Sequence, residues 1–214
     1  MIETPVILDP DQQAFPSPSL ALDDGLLAIG GDLSCERLIQ AYRQGIFPWF
    51  NQGEPILWWS PNPRAILFPN KLIVSHSLRK SLKKNYTVTM DEAFEQVIIA
   101  CSLPRAKQQE TWISPEMISA YCQLHQRGYA HSVEVWQGNK LIGGLYGIVL
   151  KGVFFGESMF HKVRDASKIA LYHLCYHHQF DFIDCQLVSP HLISLGCDAI
   201  SREAFLSLLN NALT

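Results

Sequence analysis

The chain has 214 residues, of which 48% are hydrophobic, 17% charged and 11% aromatic, and its formal charge is −3. This composition fits one or two globular domains and excludes a disordered, collagen-like or disulfide-rich miniprotein class. No apolar stretch approaches the roughly 20 residues of a membrane helix, and the first residues lack the pattern of a signal peptide, so we expect a soluble cytoplasmic protein with no membrane partner.

Residues 1–70 are predicted to form a small, loop-rich N-terminal domain. They hold most of the prolines and three of the five tryptophans, in short runs such as GIFPWF and LWWSPNPR. One helix stands out, because Ser34 can cap its first turn and Gly45 can close its last. Four tryptophans lie near glycines, prolines or polar residues: Trp49, Trp58, Trp59 and Trp112. Such tryptophans are typical of a ligand pocket, and large side chains of the core are the alternative.

Residues 71–214 are predicted to form a larger domain with clear helical and strand periods. The pattern indicates helices over 76–84, from Asp91 to about 101 and from Ser114 to Gly128, then a hairpin that turns at Gly138-Asn139. A third strand over 152–160, a helix over 166–178, a strand over 180–187 and a helix over 201–209 follow. An antiparallel meander followed by a β-α-β crossover predicts an α+β (mixed α/β) fold, and acetyltransferases share this order.

The third predicted strand carries a candidate site in the run VFFGESMF. Glu157 and Ser158 stand in the middle of an otherwise apolar strand, where a carboxylate is costly unless it is paired. Strict alternation places Phe155 and Met159 on the face of Glu157. A carboxylate between two large apolar neighbours favours a pocket, and a strand with one face in water is the alternative.

The next predicted strand, FIDCQLV, repeats this pattern. Asp184 and Gln186 are two residues apart and are expected on one face, with Cys185 turned away into the core. An aspartate that accepts a hydrogen bond from the glutamine NH₂ group would fix that amide and leave its other atoms for a substrate. A polar pair that meets water on an edge strand is the alternative.

A basic segment, SHSLRKSLKKN, precedes these strands. No acidic residue lies between Lys71 and Asp91, and four cations share one broad helix face: Arg79, Lys80, Lys83 and Lys84. Without compensating acids, this face is a candidate phosphate-binding surface, and an ordinary solvated helix face is the alternative. Arg43, Arg64 and Lys168 are candidates to extend it.

Other chemistries have less support in the residues. A coenzyme A acyltransferase needs a glycine-rich phosphate cradle after the third strand, but the loop HKVRDASKIA has no glycine. A cysteine hydrolase would combine Cys185 or Cys197 with His191. No CxxC or HExxH motif indicates a metal, so neither a metal nor a cofactor is expected.

Eleven segments run in order from residue 15 to about 197: FPSP, GLLAIGGDLS, GIFPWF, LWWSPNPRA, ETWIS, AHSVEVW, LIGGLYG, GESMF, ASKIAL, IDCQ and SLG. Together they resemble the leucyl/phenylalanyl-tRNA–protein transferase family over most of the chain. The resemblance implies a small N-terminal domain and a larger acetyltransferase-like (GNAT-like) domain with a mixed sheet. It also implies an enzyme that works without coenzyme A.

The activity that the resemblance implies is the transfer of leucine, phenylalanine or, less well, methionine from its tRNA to the α-amine of an N-terminal arginine or lysine. The product carries a destabilising N-terminus for bacterial proteolysis. We expect a monomer. A non-catalytic module that binds RNA ends or peptide N-termini, and a coenzyme A-dependent N-acyltransferase, are the alternatives.

The resemblance also assigns site residues at matching positions. The substrate-binding positions match Trp49, Trp112, Leu145, Phe154, Ser158 and Ile183. The polar, catalytic positions match Glu157, Asp184 and Gln186. The tRNA is expected to contact the basic face of Arg79, Lys80, Lys83 and Lys84.

Overall fold

The computed structural model describes residues 4–9, 12–104 and 112–214. The N-terminal part contains helix α1 (Cys35–Arg43) and four short strands: β1 (Val6–Leu8), β2 (Leu26–Gly30), β3 (Phe47–Pro48) and β4 (Leu57–Trp59). These strands form a sheet in the order β1-β2-β4-β3. The sequence predicted α1 but not this sheet, because strands of two to five residues show too little alternation to be recognised.

Helix α1 begins and ends where the sequence signals placed it. The Ser34 hydroxyl accepts a hydrogen bond from the backbone N–H of Arg37 at 3.3 Å, which caps the first turn. Gly45 follows the helix with a φ of 71°, in the left-handed region that glycine adopts at little cost. Trp58 of β4 is fully buried and therefore belongs to the core of this part.

The larger part is built on a seven-stranded mixed sheet. Its strands are β5 (Arg64–Leu67), β6 (Thr87–Met90), β7 (Ala130–Gln137), β8 (Lys140–Leu150), β9 (Val153–His161), β10 (Phe182–Gln186) and β11 (Asp198–Ile200). They lie in the order β11-β5-β10-β9-β8-β7-β6, and β9 and β10 form the parallel pair. Six helices accompany them: α2 (His76–Leu82), α3 (Phe94–Ser102), α4 (Pro115–Gln126), α5 (Ala166–His177), α6 (Pro190–Ser194) and α7 (Arg202–Leu213).

Apolar clusters cover both faces of the seven-stranded sheet. One cluster joins α3, α4 and α7 to the N-terminal part, and the other packs α2 and α5 on the opposite face. The chain therefore has the mixed α/β class that the sequence predicted. The hairpin of β7 and β8, the strand β9 and the crossover through α5 to the parallel strand β10 confirm the predicted order.

Several local predictions were wrong or incomplete. Asp91 does not cap α3. Its carboxylate instead accepts from the backbone N–H of Ser132 at 2.9 Å and contacts His131 at 2.7 Å. The helix predicted over 76–84 ends at Leu82, and β5, β6, α6 and β11 were not predicted. Each of these missed elements has only three to five residues, so its period is short.

Strands β9 and β10 separate just where the candidate residues lie. Their parallel pairing covers three residue pairs and ends at Asp184 and Phe155. Beyond that point each strand has a bulge against its other neighbour, between Gly156 and Ser158 in β9 and between Asp184 and Gln186 in β10. Bulges disrupt a ladder and redirect side chains. The two strands therefore diverge and leave space between them.

Candidate active site

A cavity of about 920 Å³ occupies the space between the ends of β9 and β10, under α5 and α6. Six of the nine substrate-binding and catalytic positions that the resemblance assigned line it: Leu145, Phe154, Glu157, Ser158, Ile183 and Gln186. Leu171 and Leu174 of α5 add apolar wall, while Arg164, Lys168 and His191 add polar groups. The cavity is large enough for an amino-acid side chain and part of its carrier.

A smaller cleft of about 200 Å³ contains the two tryptophans that were expected in the pocket. Trp49 and Trp112 line it together with Phe47, Pro48 and Leu187. Trp49 is 39% exposed, and its ring lies 5.6 Å from that of Trp59. Glu157 and Gln186 line both the cleft and the cavity. This pair therefore stands where the two spaces meet.

Glu157 is a buried carboxylate held by three hydrogen-bonding side chains. Tyr121 donates its hydroxyl to Oε2 at 3.0 Å, and the hydroxyl of Tyr42 is hydrogen-bonded to that of Tyr121. Gln186 donates Nε2–H to Oε1 at 2.7 Å. Burial raises the pKa of Glu157 from 4.5 to about 7, although the hydrogen bonds from Tyr42, Tyr121 and Gln186 act in the opposite direction. Near neutral pH, both protonation states of this group are therefore populated.

The bulge in β9 overturns the predicted alternation around Glu157. Phe155 packs in the cluster that contains Tyr42 and Tyr121, whereas Met159 packs against the cluster on the opposite face. The extra residue between Gly156 and Ser158 reverses the alternation, so Met159 does not share the face of Glu157 as expected. Tyrosines from α1 and α4 surround the carboxylate, and of its two predicted apolar neighbours only Phe155 packs in their cluster.

The predicted contact between Asp184 and the Gln186 amide was also wrong. Asp184 Oδ1 accepts from the backbone N–H of Gln186 at 2.9 Å, while the Gln186 amide reaches Glu157. Gln186 has a φ of 64°, and the bulge leaves Cys185 as the extra residue. Cys185 packs against the cluster of α2 and α5, on the face opposite to the Asp184–Arg64 pair, as alternation predicted. It also lines the cavity, which lies on this face.

Asp184 is paired with Arg64. The guanidinium donates Nε–H to Oδ1 at 2.8 Å and Nη2–H to Oδ2 at 2.6 Å, and both side chains are buried. Arg64 was a candidate to extend the basic surface, but at 1% exposure it is not a surface cation. The four cations around α2 are all exposed, and none has an ion-pair partner among the described residues: Arg79, Lys80, Lys83 and Lys84.

The cysteine alternative finds no support in the site. Cys185 lies 3.7 Å from Cys197, sulfur to sulfur, and both are free thiols. The hydrogen bond with Cys197 and burial raise the pKa of the Cys185 thiol well above its usual range. A protonated thiol is a weak nucleophile. The same hydrogen bond lowers the pKa of the Cys197 thiol, but Cys197 is 5% exposed and lines neither the cavity nor the cleft. In the described ranges, 4–9, 12–104 and 112–214, no three His, Cys, Asp or Glu side chains group closely enough for a metal, and none of the helices is long and apolar enough to span a bilayer.

Sequence reasoning missed three residues that build this site: Tyr42, Tyr121 and Arg64. Each is separated by 36 to 120 residues from the side chain that it contacts. No local pattern reports a contact of that range. The sequence carried one signal, which is the presence of polar groups in apolar surroundings. A buried hydrogen bond is expected for an arginine beside the apolar strand AILF and for tyrosines on the apolar faces of α1 and α4.

Comparisons with known proteins agree with this architecture. The family model described as leucyl/phenylalanyl-tRNA protein transferase matches residues 66–210, and the model of the N-terminal domain of the same family matches residues 31–62. A GCN5-related N-acetyltransferase from Kribbella flavida is 10% identical, with a TM-score of 0.40 over 77% of this chain and 59% of that one, which is too distant to carry an argument.

Curated relatives are much closer. The leucyl/phenylalanyl-tRNA–protein transferase of Legionella pneumophila (strain Corby) is 55% identical over 202 residues, which are 93% of this chain and 91% of the relative. The protein of that name from Nitrosomonas eutropha is 57% identical over 94% of this chain and 85% of its own length. The one from Cellvibrio japonicus is 56% identical over 94% and 88%. The chain therefore belongs to the leucyl/phenylalanyl-tRNA–protein transferase family.

Proposed function

We propose that the protein transfers leucine or phenylalanine from an aminoacyl-tRNA to the N-terminus of a protein. The observation that carries this proposal is the position of Glu157 and Gln186 between an apolar cavity and a tryptophan-lined cleft. An aminoacyl-adenosine has an apolar side chain on one side of its ester and an aromatic base on the other. The pair therefore stands where the ester of such a donor would lie.

The two spaces suit the two ends of the donor. Leu145, Phe154 and Ile183 give the cavity an apolar wall for the side chain of leucine, phenylalanine or, less well, methionine. Trp49 and Trp112 give the cleft aromatic surface on which a base can stack. We assign to Ser158, at the cavity wall, a contact with the backbone of the aminoacyl group.

The reaction is the attack of an α-amine on an ester carbonyl. The new C–N bond forms, the C–O bond to the ribose breaks, and the ribose hydroxyl leaves with a proton taken from the amine. The acceptor amine has an unperturbed pKa of about 7.7–8.0, so part of it is neutral near pH 7. Positioning of the two reactants supplies much of the rate in such a transfer.

Glu157 and Gln186 are the groups that can hold the amine and move its proton. Gln186 Oε1 has no donor among the described residues and is free to accept an N–H from the amine, since Nε2 is engaged by Glu157. Glu157, with a pKa of about 7, can take up a proton and release it at neutral pH. The Asp184 carboxylate contacts the backbone N–H of Gln186 and not the side-chain amide of Gln186.

An acceptor with N-terminal arginine or lysine needs a negative group close to the attacking amine. Glu157 is the carboxylate among the described residues that line the cleft. Glu110, a further candidate from the sequence, lies outside the described residues. The product would carry a destabilising N-terminus.

The basic surface around α2 suits the phosphates of the tRNA. Ser77 and Ser81 of α2 hydrogen-bond Asp165, at the start of α5, and Ser77 and Asp165 line the cavity. Helix α2 therefore borders the cavity, and a tRNA whose amino-acid side chain occupies this cavity would lie close to these cations. We further propose a cytoplasmic monomer of two domains. The separate matches of residues 31–62 and 66–210, and the pairing of β5 with β10, favour a division near residue 63.

The test is a transfer assay with labelled leucyl-tRNA or acetyl-coenzyme A and a peptide that begins with arginine. We expect label on the peptide from leucyl-tRNA alone. Binding of the tRNA without transfer would instead identify a non-catalytic module, and transfer from acetyl-coenzyme A would identify a different acyltransferase. Gln186→Ala is expected to reduce kcat by more than about tenfold. The exposed Gln179→Ala is the matched control, and a Gln186→Ala rate within threefold of it would remove Gln186 from the mechanism.

A further inference from the structure

The ion pair of Arg64 and Asp184 joins β5 to the strand that carries Gln186. Its two parallel hydrogen bonds, at 2.8 and 2.6 Å, fix the plane of the carboxylate as a single contact would not. The exposed fractions of the two side chains are 1% and 0%. The guanidinium lies 4.8 Å from the ring centre of Phe47 and 4.5 Å from that of Phe205. These two rings limit the movement of the guanidinium.

The fixed carboxylate also holds the backbone of Gln186. Oδ1 accepts the Arg64 Nε–H and the Gln186 backbone N–H together, the latter at 2.9 Å. Gln186 has a φ of 64°, in the left-handed region that is strained for a residue with a side chain. Such a conformation persists only where the surroundings enforce it. The hydrogen bond that the Gln186 N–H donates to Asp184 Oδ1, together with the pairing of Gln186 with Ala65 of β5, enforces it here.

This conformation decides where the Gln186 amide points. With φ in the extended region, residue 186 would share a face with Asp184. The left-handed residue and the bulge instead bring Nε2 to 2.7 Å from Oε1 of Glu157, at the border of the cavity and the cleft. A rotation of the Asp184 carboxylate would remove Oδ1 from the Gln186 N–H and release the amide from this position.

Stability alone does not account for the pair. A buried ion pair gains little over apolar side chains of the same volume, because the cost of taking two charges from water offsets their attraction. In addition, Nη1 of Arg64 is buried with no hydrogen-bond partner among the described residues. What the guanidinium supplies, and an apolar side chain would not, is a defined orientation of the carboxylate.

We infer that Arg64 is a positioning residue for the aminoacyl transfer, acting through the carboxylate of Asp184 on the backbone of Gln186 and so on the direction of its amide. This role rests on the proposed function of Gln186. It adds to the site a residue that contacts neither substrate and lies outside both the cavity and the cleft.

The first experiment compares Arg64→Lys with Arg37→Lys in the tRNA-dependent transfer assay. Lysine keeps the charge but donates from one point and does not fix the carboxylate plane. Arg37 is equally buried, contacts Asp32 at 3.3 Å and lines neither the cavity nor the cleft, so it is the matched control. We expect Arg64→Lys to lower kcat about 10- to 100-fold, with the donor KM within about threefold of wild type.

A wild-type protein without transfer activity would refute the proposed function itself. If the wild type is active and Arg64→Lys and Arg37→Lys have equal kcat values, the inference about Arg64 is overturned and the proposed function is not. A double-mutant cycle of Arg64→Lys and Gln186→Ala then tests whether Arg64 acts through Gln186. If Arg64 acts through Gln186, the double variant is no slower than the slower single variant within about threefold, whereas losses that multiply overturn the inference.

A second variant covers the case in which Arg64→Lys does not fold. The combination Arg64→Met with Asp184→Asn removes both charges, so neither is left buried without its partner. The introduced asparagine side chain retains an oxygen for the Gln186 N–H, but nothing fixes the plane of its amide. We expect a folded protein with kcat lowered at least tenfold, and a kcat within threefold of wild type would overturn the inference.

Discussion

Replacement of Glu157 by glutamine is expected to stabilise the fold at alkaline pH while it removes activity. The folded pKa of Glu157 is about 7 and the ordinary value is 4.5, so the folded protein binds this proton more tightly than the unfolded chain does. Stability from this group is complete below pH 4.5 and is lost as the pH rises through 7. The shift of about 2.5 units corresponds to about 3 kcal/mol, of which about 2.5 kcal/mol is lost between pH 5 and pH 8.

The assay is urea denaturation of the wild type and of Glu157→Gln at several pH values between 5 and 8. Glutamine has a similar shape and hydrogen-bonds Tyr121 and Gln186 without ionising, so this component of the pH dependence should be absent from the variant. The free energies of unfolding should therefore diverge in favour of Glu157→Gln as the pH rises. The exposed Glu92→Gln is the control. Parallel pH curves for wild type and Glu157→Gln, within about 0.5 kcal/mol, would refute the burial argument.

Four further changes test other parts of the site. Tyr121→Phe removes a donor to the charged form of Glu157 and should raise its pKa by a further 1–2 units or so, seen as a shift of the pH–rate profile that Tyr172→Phe does not produce. Trp49→Ala should raise the donor KM at least about fivefold, through loss of stacking on the base. Phe154→Ala should enlarge the cavity and shift relative kcat/KM from leucyl- towards phenylalanyl-tRNA by roughly tenfold. Alanine at all four cations around α2 should flatten the plot of log K against log salt by about 3 in slope.

Each of these has a specific contrary result. Superimposable pH–rate profiles for Tyr121→Phe and wild type would exclude control of Glu157 by that hydroxyl. A donor KM within twofold of wild type would remove Trp49 from the base site. If Phe154→Ala has the same ratio of kcat/KM for leucyl- and phenylalanyl-tRNA as the wild type, the amino-acid side chain binds elsewhere. An unchanged salt slope would leave the cations around α2 without a role in tRNA binding.

Long periodic elements of this fold were predictable, and short or non-local ones were not. Ser114-Pro115 and Gly128 bound α4 closely, because caps and breakers act within a few residues of the helix that they end. The three-residue strand β11 and the four-residue β5 depend on pairing with each other and with β10, far away in the chain. Such strands are stabilised by pairing with their neighbours, and their own sequences show little alternation of apolar and polar residues.

The identities of the site residues were predicted better than their contacts. Glu157, Asp184 and Gln186 stood out because polar groups in apolar strands require partners. Alternation then assigned wrong neighbours, since a bulge changes the face of every residue after it. The actual partner of Asp184 is Arg64, 120 residues away, and the tyrosines at Glu157 come from two separate helices. Contacts of this range follow from the docking of elements and not from spacing.

The contacts around Glu157 and Asp184 also bear on how the chain acquires its activity during folding. Tyr42 and Arg64 come from the first third of the chain, Tyr121 from the middle, and Asp184 and Gln186 from near its end. Ordering of contacts this distant in sequence is slow, because long loops must close before such contacts stabilise the chain. A growing or partly folded chain has therefore not yet oriented its amide or enclosed its carboxylate. The chain becomes able to transfer an amino acid only when the last of these long-range contacts has formed. Recovery of activity after dilution from denaturant therefore reports the completion of the whole fold.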